Sequence, residues 1–177
     1  LEKSEEVLVL LIMEPSFLKA PETSIFHVEA ILSAFKSFQK KVAALNGLAF
    51  IANGEYIPIL EKIKKDFPFE TIYSHQEVGN LRTFTRDKKL INWCKSEGVE
   101  FIEYPEKAVF RGLKDRGQRN KLWADFTFAE MPPAPSDLSK TYLNNLENQG
   151  YQNPRIDEIK KEYPDLLKNV SLGYKIQ

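Results

Sequence analysis

Four short apolar runs, separated by amphipathic stretches, constrain the fold of this chain more than any other feature. The first run, residues 7–13 (VLVLLIM), is continuously aliphatic, as expected for a parallel strand that is buried on both faces. The other predicted strands are residues 48–52 (LAFIA), 71–74 (TIYS) and 99–103 (VEFIE). Strands of this kind need long connections between them, because parallel neighbours cannot be joined by a tight hairpin.

Three amphipathic segments supply these connections. Residues 26–45, 56–66 and 81–96 carry apolar side chains at helical spacing, and Gly98 suits the end of the third helix. Repeated strand–helix–strand units imply right-handed crossovers and a parallel sheet with helices on both faces. We therefore predict a Rossmann-like α/β domain over residues 1–131.

The character of the sequence changes near residue 132. The segment 131–135 (MPPAP) stops the preceding helical pattern, since proline donates no amide hydrogen and restrains the residue before it. Residues 132–177 are predicted to be an interdomain linker that carries little core and has one helical piece at 155–161.

Composition excludes several classes of protein. The 25 basic and 25 acidic side chains balance, whereas a domain that grips DNA by itself needs a basic surplus or stripe. Cys94 is the only cysteine, and His27 and His75 are the only histidines, so neither a disulfide nor a metal site is expected. No apolar run is long enough to span a bilayer, and the predicted location is cytoplasmic.

In an open α/β sheet, ligands bind beyond the carboxyl ends of the strands. This rule selects the loops 14–16, 53–55, 74–80 and 104–106, of which 74–80 (SHQEVGN) is the most polar. Ordinary turns and helix caps explain such loops equally well. The pair His75 and Glu77 is interpreted as a structural brace rather than an acid–base pair, and no phosphate-binding glycine motif or nucleophile motif is present.

Two further motifs have structural interpretations. Arg86 and Asp87, on the helix after the polar loop, are interpreted as an ion pair that braces neighbouring loops. Cys94 is interpreted as a small core residue, as unpaired cysteines usually are. No catalytic residue is predicted.

Several separate motifs, in the correct order, resemble the photolyase/cryptochrome family. The matching segments are 72–80 (IYSHQEVGN), Arg86-Asp87, Trp93-Cys94, 108–116 (AVFRGLKDR) and the predicted helix 121–131, with Trp123 and Met131. The similarity extends from about residue 6 to residue 135 and more weakly to residue 177. It implies the N-terminal light-harvesting and scaffold domain of a DNA photolyase or cryptochrome.

The resemblance also implies what lies outside the sequence. The family's strand order is 3-2-1-4-5, and its central first strand would precede Leu1, so the sequence is expected to be an interior piece of a longer protein. A helical FAD-binding domain would follow the linker, and damaged DNA would be bound through that domain only. The intact protein would be a deoxyribodipyrimidine photolyase or a cryptochrome, whereas this segment would bind no FAD and catalyse nothing by itself.

In the family, the α/β domain often holds an antenna chromophore, a folate or a deazaflavin, in a cleft towards the helical domain. The positions that match this cleft are the loop after residues 7–13 and the loop 74–80 with its following helix. The resemblance therefore implies Glu14, Glu77 and Asn80 as lining residues.

Two alternatives remain open. A stand-alone nucleotide- or small-ligand-binding protein of the universal-stress type would share the α/β pattern, but it would normally carry a glycine-rich loop that residues 99–116 lack. A pure interaction domain that has lost its ligand would also fit.

Overall fold

The computed structural model describes residues 7–76, 78–79, 81–105, 108–110, 112–138 and 155–168. The chain forms two compact units. The first unit contains Leu1–Ile59 and Ala134–Gln177, and the second contains Leu60–Pro133. The chain therefore leaves the first unit and later returns to it.

The first unit is built on two parallel strands, β1 (Val9–Met13) and β2 (Ala49–Asn53). Their register pairs Val9 with Ala49 and Met13 with Asn53. Four successive residues of β2, from Ala49 to Ala52, are buried, as expected for a parallel strand covered on both faces. Both predicted strands are confirmed, with boundaries shifted by one or two residues.

Two helices lie between these strands, α1 (Pro15–Leu18) and α2 (Ile25–Ala44). At the start of α2, the backbone N–H of Ser24 donates to Nδ1 of His27 over 3.0 Å, so this histidine caps the helix. At its far end, Nε2 of Gln39 donates to the carbonyl oxygen of Ala49 over 2.7 Å. The predicted helix is confirmed, and it is tied to the strand that it precedes.

Two short helices near the end of the chain complete the core of the first unit. They are α6 (Ile156–Glu162) and α7 (Asp165–Lys168). Ile159 and Leu166 are buried in one cluster with Met13 and Val28, among others. The expectation that residues 132–177 carry little core is therefore wrong, because these apolar side chains find a partner face far away in sequence.

The start of the returning segment is also attached to the first unit. The backbone N–H of Leu138 donates to the carbonyl oxygen of Leu45 over 2.6 Å, and Nδ2 of Asn46 donates to Oδ1 of Asp137 over 3.0 Å. Residues 139–154 lie outside the described residues. The division into a domain and a linker at residue 132 stays a prediction.

The second unit repeats the pattern with β3 (Thr71–His75) and β4 (Glu100–Tyr104). These strands are parallel, and Thr71 pairs with Glu100. The predicted order 3-2-1-4-5 counts the family's first strand ahead of β1, so β1 to β4 correspond to its second to fifth strands. That order pairs the second strand with the third and the fourth with the fifth, and these pairs are the β1–β2 and β3–β4 ladders. The parallel α/β class is confirmed. The additional central strand of that order stays a prediction.

Helices α3 (Tyr56–Asp66) and α4 (Leu81–Glu97) flank β3 in the sequence, as predicted. Nζ of Lys64 on α3 donates to the backbone oxygen of Glu97 over 2.6 Å and to its carboxylate over 3.0 Å. A cation at the carboxyl end of a helix is stabilised by the helix dipole. Trp93 and Cys94 on α4 are buried, which confirms Cys94 as a core residue.

The last helix of the second unit, α5 (Arg119–Thr127), follows a single 3-10 turn at Arg116–Gln118. The predicted helix at 121–131 is therefore wrong at its end, which falls at Thr127. Phe128 and Met131 are 77% and 90% exposed, so no buried contact offsets the entropy cost of further helical turns. Among the described residues, no helix is long and apolar enough to cross a membrane.

Candidate functional site

The carboxyl ends of β1 and β2 are joined by a glycine. The backbone N–H of Gly54 donates to the carbonyl oxygen of Met13 over 3.2 Å. Gly54 has φ of 151°, and a Cβ at this position would lie 2.9 Å from Cδ1 of Ile59. A side chain cannot be accommodated without a shift, so glycine at this position lets Ile59 of α3 pack closely against the loop after β2.

A pair of hydrogen bonds then connects the two loops. The carboxylate of Glu55, in the loop after β2, accepts from the backbone N–H of Ser16 over 2.8 Å and from its hydroxyl over 2.9 Å. We call this pair the Ser16–Glu55 clamp. It fixes the start of α1 against the start of α3, and an anionic acceptor at free helical amides is electrostatically favourable.

Glu14 lies at the carboxyl end of β1, as predicted, and is only 7% exposed. Its backbone oxygen accepts from the N–H groups of Phe17 and Leu18, over 3.0 and 3.1 Å, so it begins α1. Buried carboxylates are rare in proteins unless they are partnered. The sequence rule therefore selected a buried polar residue at the carboxyl end of β1, and the role of Glu14 in antenna binding stays a prediction.

Tyr163, between α6 and α7, is a third element at this edge that the sequence interpretation missed. Burial raises the pKa of its phenol, a hydrogen bond with Glu162 raises it further, and the negative charge of Glu55 acts in the same direction. The ring also packs against the core of the first unit. The spacing of Ile159, Tyr163 and Leu166 is helical and could have revealed this apolar stripe.

In the second unit, the carboxyl ends of β3 and β4 are also connected by a hydrogen bond. The backbone N–H of Gln76 donates to the carbonyl oxygen of Tyr104 over 2.8 Å, and His75 pairs with Tyr104 in the ladder. Glu77 and Asn80, the other two predicted lining residues, lie outside the described residues. The loop that contains them therefore begins at an exposed strand end, next to Tyr104.

An aromatic pair lies on the exposed face of this two-stranded sheet. The rings of Tyr73 and Tyr104 are nearly parallel, with an angle of 14° and 6.5 Å between their centroids. The residues are 48% and 52% exposed. Diagonal neighbours on one face of a ladder are within reach of each other when their side chains are aromatic. The two rings thus present a flat aromatic surface beside the 74–80 loop.

The predicted ion pair on α4 is confirmed in part. The guanidinium of Arg86 donates to Oδ1 of Asp87 over 3.1 Å, and Asp87 is buried. The pair therefore joins neighbouring residues of one helix, and its contacts to other loops stay a prediction.

The described part of the chain offers few side chains for covalent catalysis or metal binding. Burial raises the pKa of the Cys94 thiol, although the charge of Lys64 opposes this, so a reactive thiolate is disfavoured. Among the described residues, no group of three or more His, Cys, Asp or Glu side chains could hold a metal ion. The site's polar and aromatic groups are suited to binding.

The comparison with solved structures finds a photolyase. The photolyase from the archaeon Sulfolobus tokodaii matches 91% of this chain with a TM-score of 0.60 and 16% sequence identity. Its structure contains two FAD molecules and was described as implying a novel light-harvesting cofactor. This chain spans 36% of the length of that protein. At this identity the match shows the fold, and the chain therefore has a photolyase-like α/β fold.

The other two comparisons find no relative. No known protein family matches the sequence, and no curated protein matches it.

Proposed function

We propose that this chain is the light-harvesting and scaffold α/β domain of a DNA photolyase or cryptochrome. The observation that carries the proposal is the photolyase-like fold over 91% of the chain, and the motifs that resemble the family in sequence support it. The photochemistry, the FAD and the recognition of damaged DNA would belong to a companion helical domain of the same protein. The chain itself would not be catalytic.

The chromophore would be a folate or a deazaflavin. The exposed rings of Tyr73 and Tyr104 support this proposal, because a planar heterocycle gains binding energy by stacking on aromatic side chains. The loop 74–80 begins at the same strand end, and its Glu77 and Asn80 would supply hydrogen bonds to the heterocycle. Glu14 stays a proposed lining residue on the strength of the family resemblance alone.

Absorbance of the full-length protein tests the antenna role. Glu77→Ala and Asn80→Ala should lower the chromophore content per protein while leaving the fold intact, because loop residues contribute little to core packing. The cost in stability should be at most about 0.5–2 kcal/mol, the scale of a lost helix cap. Unchanged absorbance with a lowered midpoint would reject the antenna role and leave Glu77 as a structural brace.

Direct titration of the 177-residue chain tests where the cofactors bind. Folate and deazaflavin are titrated separately, and FAD is included because the Sulfolobus tokodaii photolyase holds two FAD molecules. Tyr73→Ala, in the second unit, should weaken the binding of the antenna, and Phe38→Ala, at an exposed ring of the first unit, serves as the matched control. One FAD bound per chain would contradict the assignment of the flavin to the companion domain.

A further inference from the structure

Although the whole chain has no net charge, positive charge is concentrated in one segment. Between residues 107 and 121, Asp115 is the only acidic residue. The basic residues in the same segment are Lys107, Arg111, Lys114, Arg116, Arg119 and Lys121. The 25 basic and 25 acidic residues of the chain are therefore distributed unevenly, and this segment is suited to an anionic partner.

Local contacts within the described part of the chain leave three of these cations available, Lys114, Arg116 and Arg119. The carboxylate of Asp115 caps the 3-10 turn by accepting from the N–H of Gly117 over 2.8 Å. Nζ of Lys121 pairs with Asp125 over 2.8 Å. The guanidinium groups of Arg116 and Arg119 are exposed and form no hydrogen bond or ion pair within the part of the chain that the structure describes.

Exposed aromatic rings lie on α5 and just after it, close to Arg119 in the sequence. Trp123 follows Arg119 by four residues on α5, so the two lie on the same side of the helix. Trp123 is 49% exposed, and its ring meets that of Phe128 edge to face with 6.1 Å between centroids. We call Arg116, Arg119, Trp123 and Phe128 the Arg–Trp face.

We propose that the Arg–Trp face binds single-stranded nucleic acid without sequence preference. The guanidinium groups would neutralise phosphates, and the indole of Trp123 would stack on an unpaired base. An acidic peptide would satisfy the arginines but would offer no flat ring to Trp123, and in a duplex the bases are already stacked on each other. This proposal changes the expectation that nucleic acid contacts only the companion domain, and it does not depend on the antenna function.

Anisotropy of labelled oligonucleotides measures the proposed contact with the 177-residue chain. Oligothymidylate and oligouridylate of about 12 nucleotides, within the usual site size of single-strand binders, distinguish DNA from RNA as the source. Binding to either should be weaker in salt. Arg116→Gln with Arg119→Gln should flatten the plot of log affinity against log salt by about 1.4, since each lost phosphate contact removes about 0.7.

A double variant on α2 controls for net charge. Lys36→Gln with Lys40→Gln removes the same charge from exposed positions of the first unit, and it should leave the salt slope nearly unchanged. Equal slopes for the two double variants would overturn the proposal, because binding would then follow net charge alone.

The stacking of a base on Trp123 is tested by a separate variant. Trp123→Ala should lower the affinity at least about fivefold, the lower limit for a lost base stack, whereas Phe26→Ala, at an exposed ring of α2, should not. In the unmodified chain, bound oligonucleotide should quench tryptophan fluorescence, since Trp93 is buried and Trp123 is exposed. Unchanged affinity in the Trp123 variant would overturn the proposal, as would equally strong binding of polyglutamate.

Discussion

The two units share the strand–helix–strand pattern but differ in the apolar surface that they expose. In the first unit, the exposed large apolar side chains among the described residues are Phe26 and Phe38. In the second unit they are Tyr73, Leu81, Phe84, Tyr104, Val109, Trp123, Phe128 and Met131. The difference concentrates the exposed aromatic surface of the described chain in one unit.

We attribute this difference to the end of the chain, residues 134–177, which returns to the first unit. In the first unit, α6 and α7 bring Ile159, Tyr163 and Leu166 onto a core that includes Met13 and Val28, and Lys160 pairs with Glu29 of α2 over 2.9 Å. The second unit has no such returning segment among its described residues. Extended apolar surface on a protein commonly marks an interaction site, so the second unit is the half in which we expect partners to bind.

The largest expected effect compares one leucine in each unit. Leu166→Ala should lower the free energy of unfolding by about 2–5 kcal/mol, because this side chain is 0% exposed and its loss leaves a cavity. Leu81→Ala should change it by less than about 0.5 kcal/mol, because Leu81 is 78% exposed. Urea denaturation measures both. Equal effects would mean that α7 contributes no more to stability than an exposed position does.

The Ser16–Glu55 clamp should have a smaller effect. Glu55→Ala removes both hydrogen bonds to Ser16 and should cost about 0.5–1.5 kcal/mol of unfolding free energy. Glu61→Ala in the second unit is the control, because Glu61 is exposed and makes no contact of this kind within the described part of the chain. A cost no greater than that of the control would show that water replaces the clamp without loss.

The pH dependence of stability should reveal the environment of Tyr163. Burial, and then the hydrogen bond with Glu162, raise the pKa of the phenol above its ordinary value of 10.0. The folded state therefore holds this proton more tightly than the unfolded chain does. The resulting stabilisation is complete below pH 10 and is lost as the pH rises through the folded-state pKa. Tyr163→Phe should reduce this alkaline loss in pH-dependent urea titrations, and an identical loss in the variant would contradict the prediction.

The smallest expected effect concerns DNA lesions. The 177-residue chain should bind a duplex that contains a pyrimidine dimer no more tightly than an undamaged duplex, since lesion recognition is proposed for the companion domain. Both affinities should be weak, because the net charge of the chain is zero. Titration of the two duplexes at physiological salt measures the ratio, and a clear preference for the lesion would place lesion recognition in this chain.

Much of the fold was predictable because its signals are local. The aliphatic run at β1 and the helical spacing of α2 and α4 report which faces are buried, and each pattern lies within one element. The carboxyl-end rule also selected the loops with Glu14 and Glu55. It could not predict the Ser16–Glu55 clamp, because that contact joins residues 39 positions apart and leaves no periodic pattern.

The sequence by itself determined the parallel α/β class and the identity of the four strands. Only the tertiary structure decided that α6 and α7 belong to the core of the first unit, that α5 ends at Thr127, and that Trp123 stays exposed while Trp93 is buried. The physical reason is that burial depends on which distant surfaces meet. Two tryptophans in amphipathic helices look alike in sequence until the packing of one and the exposure of the other are known.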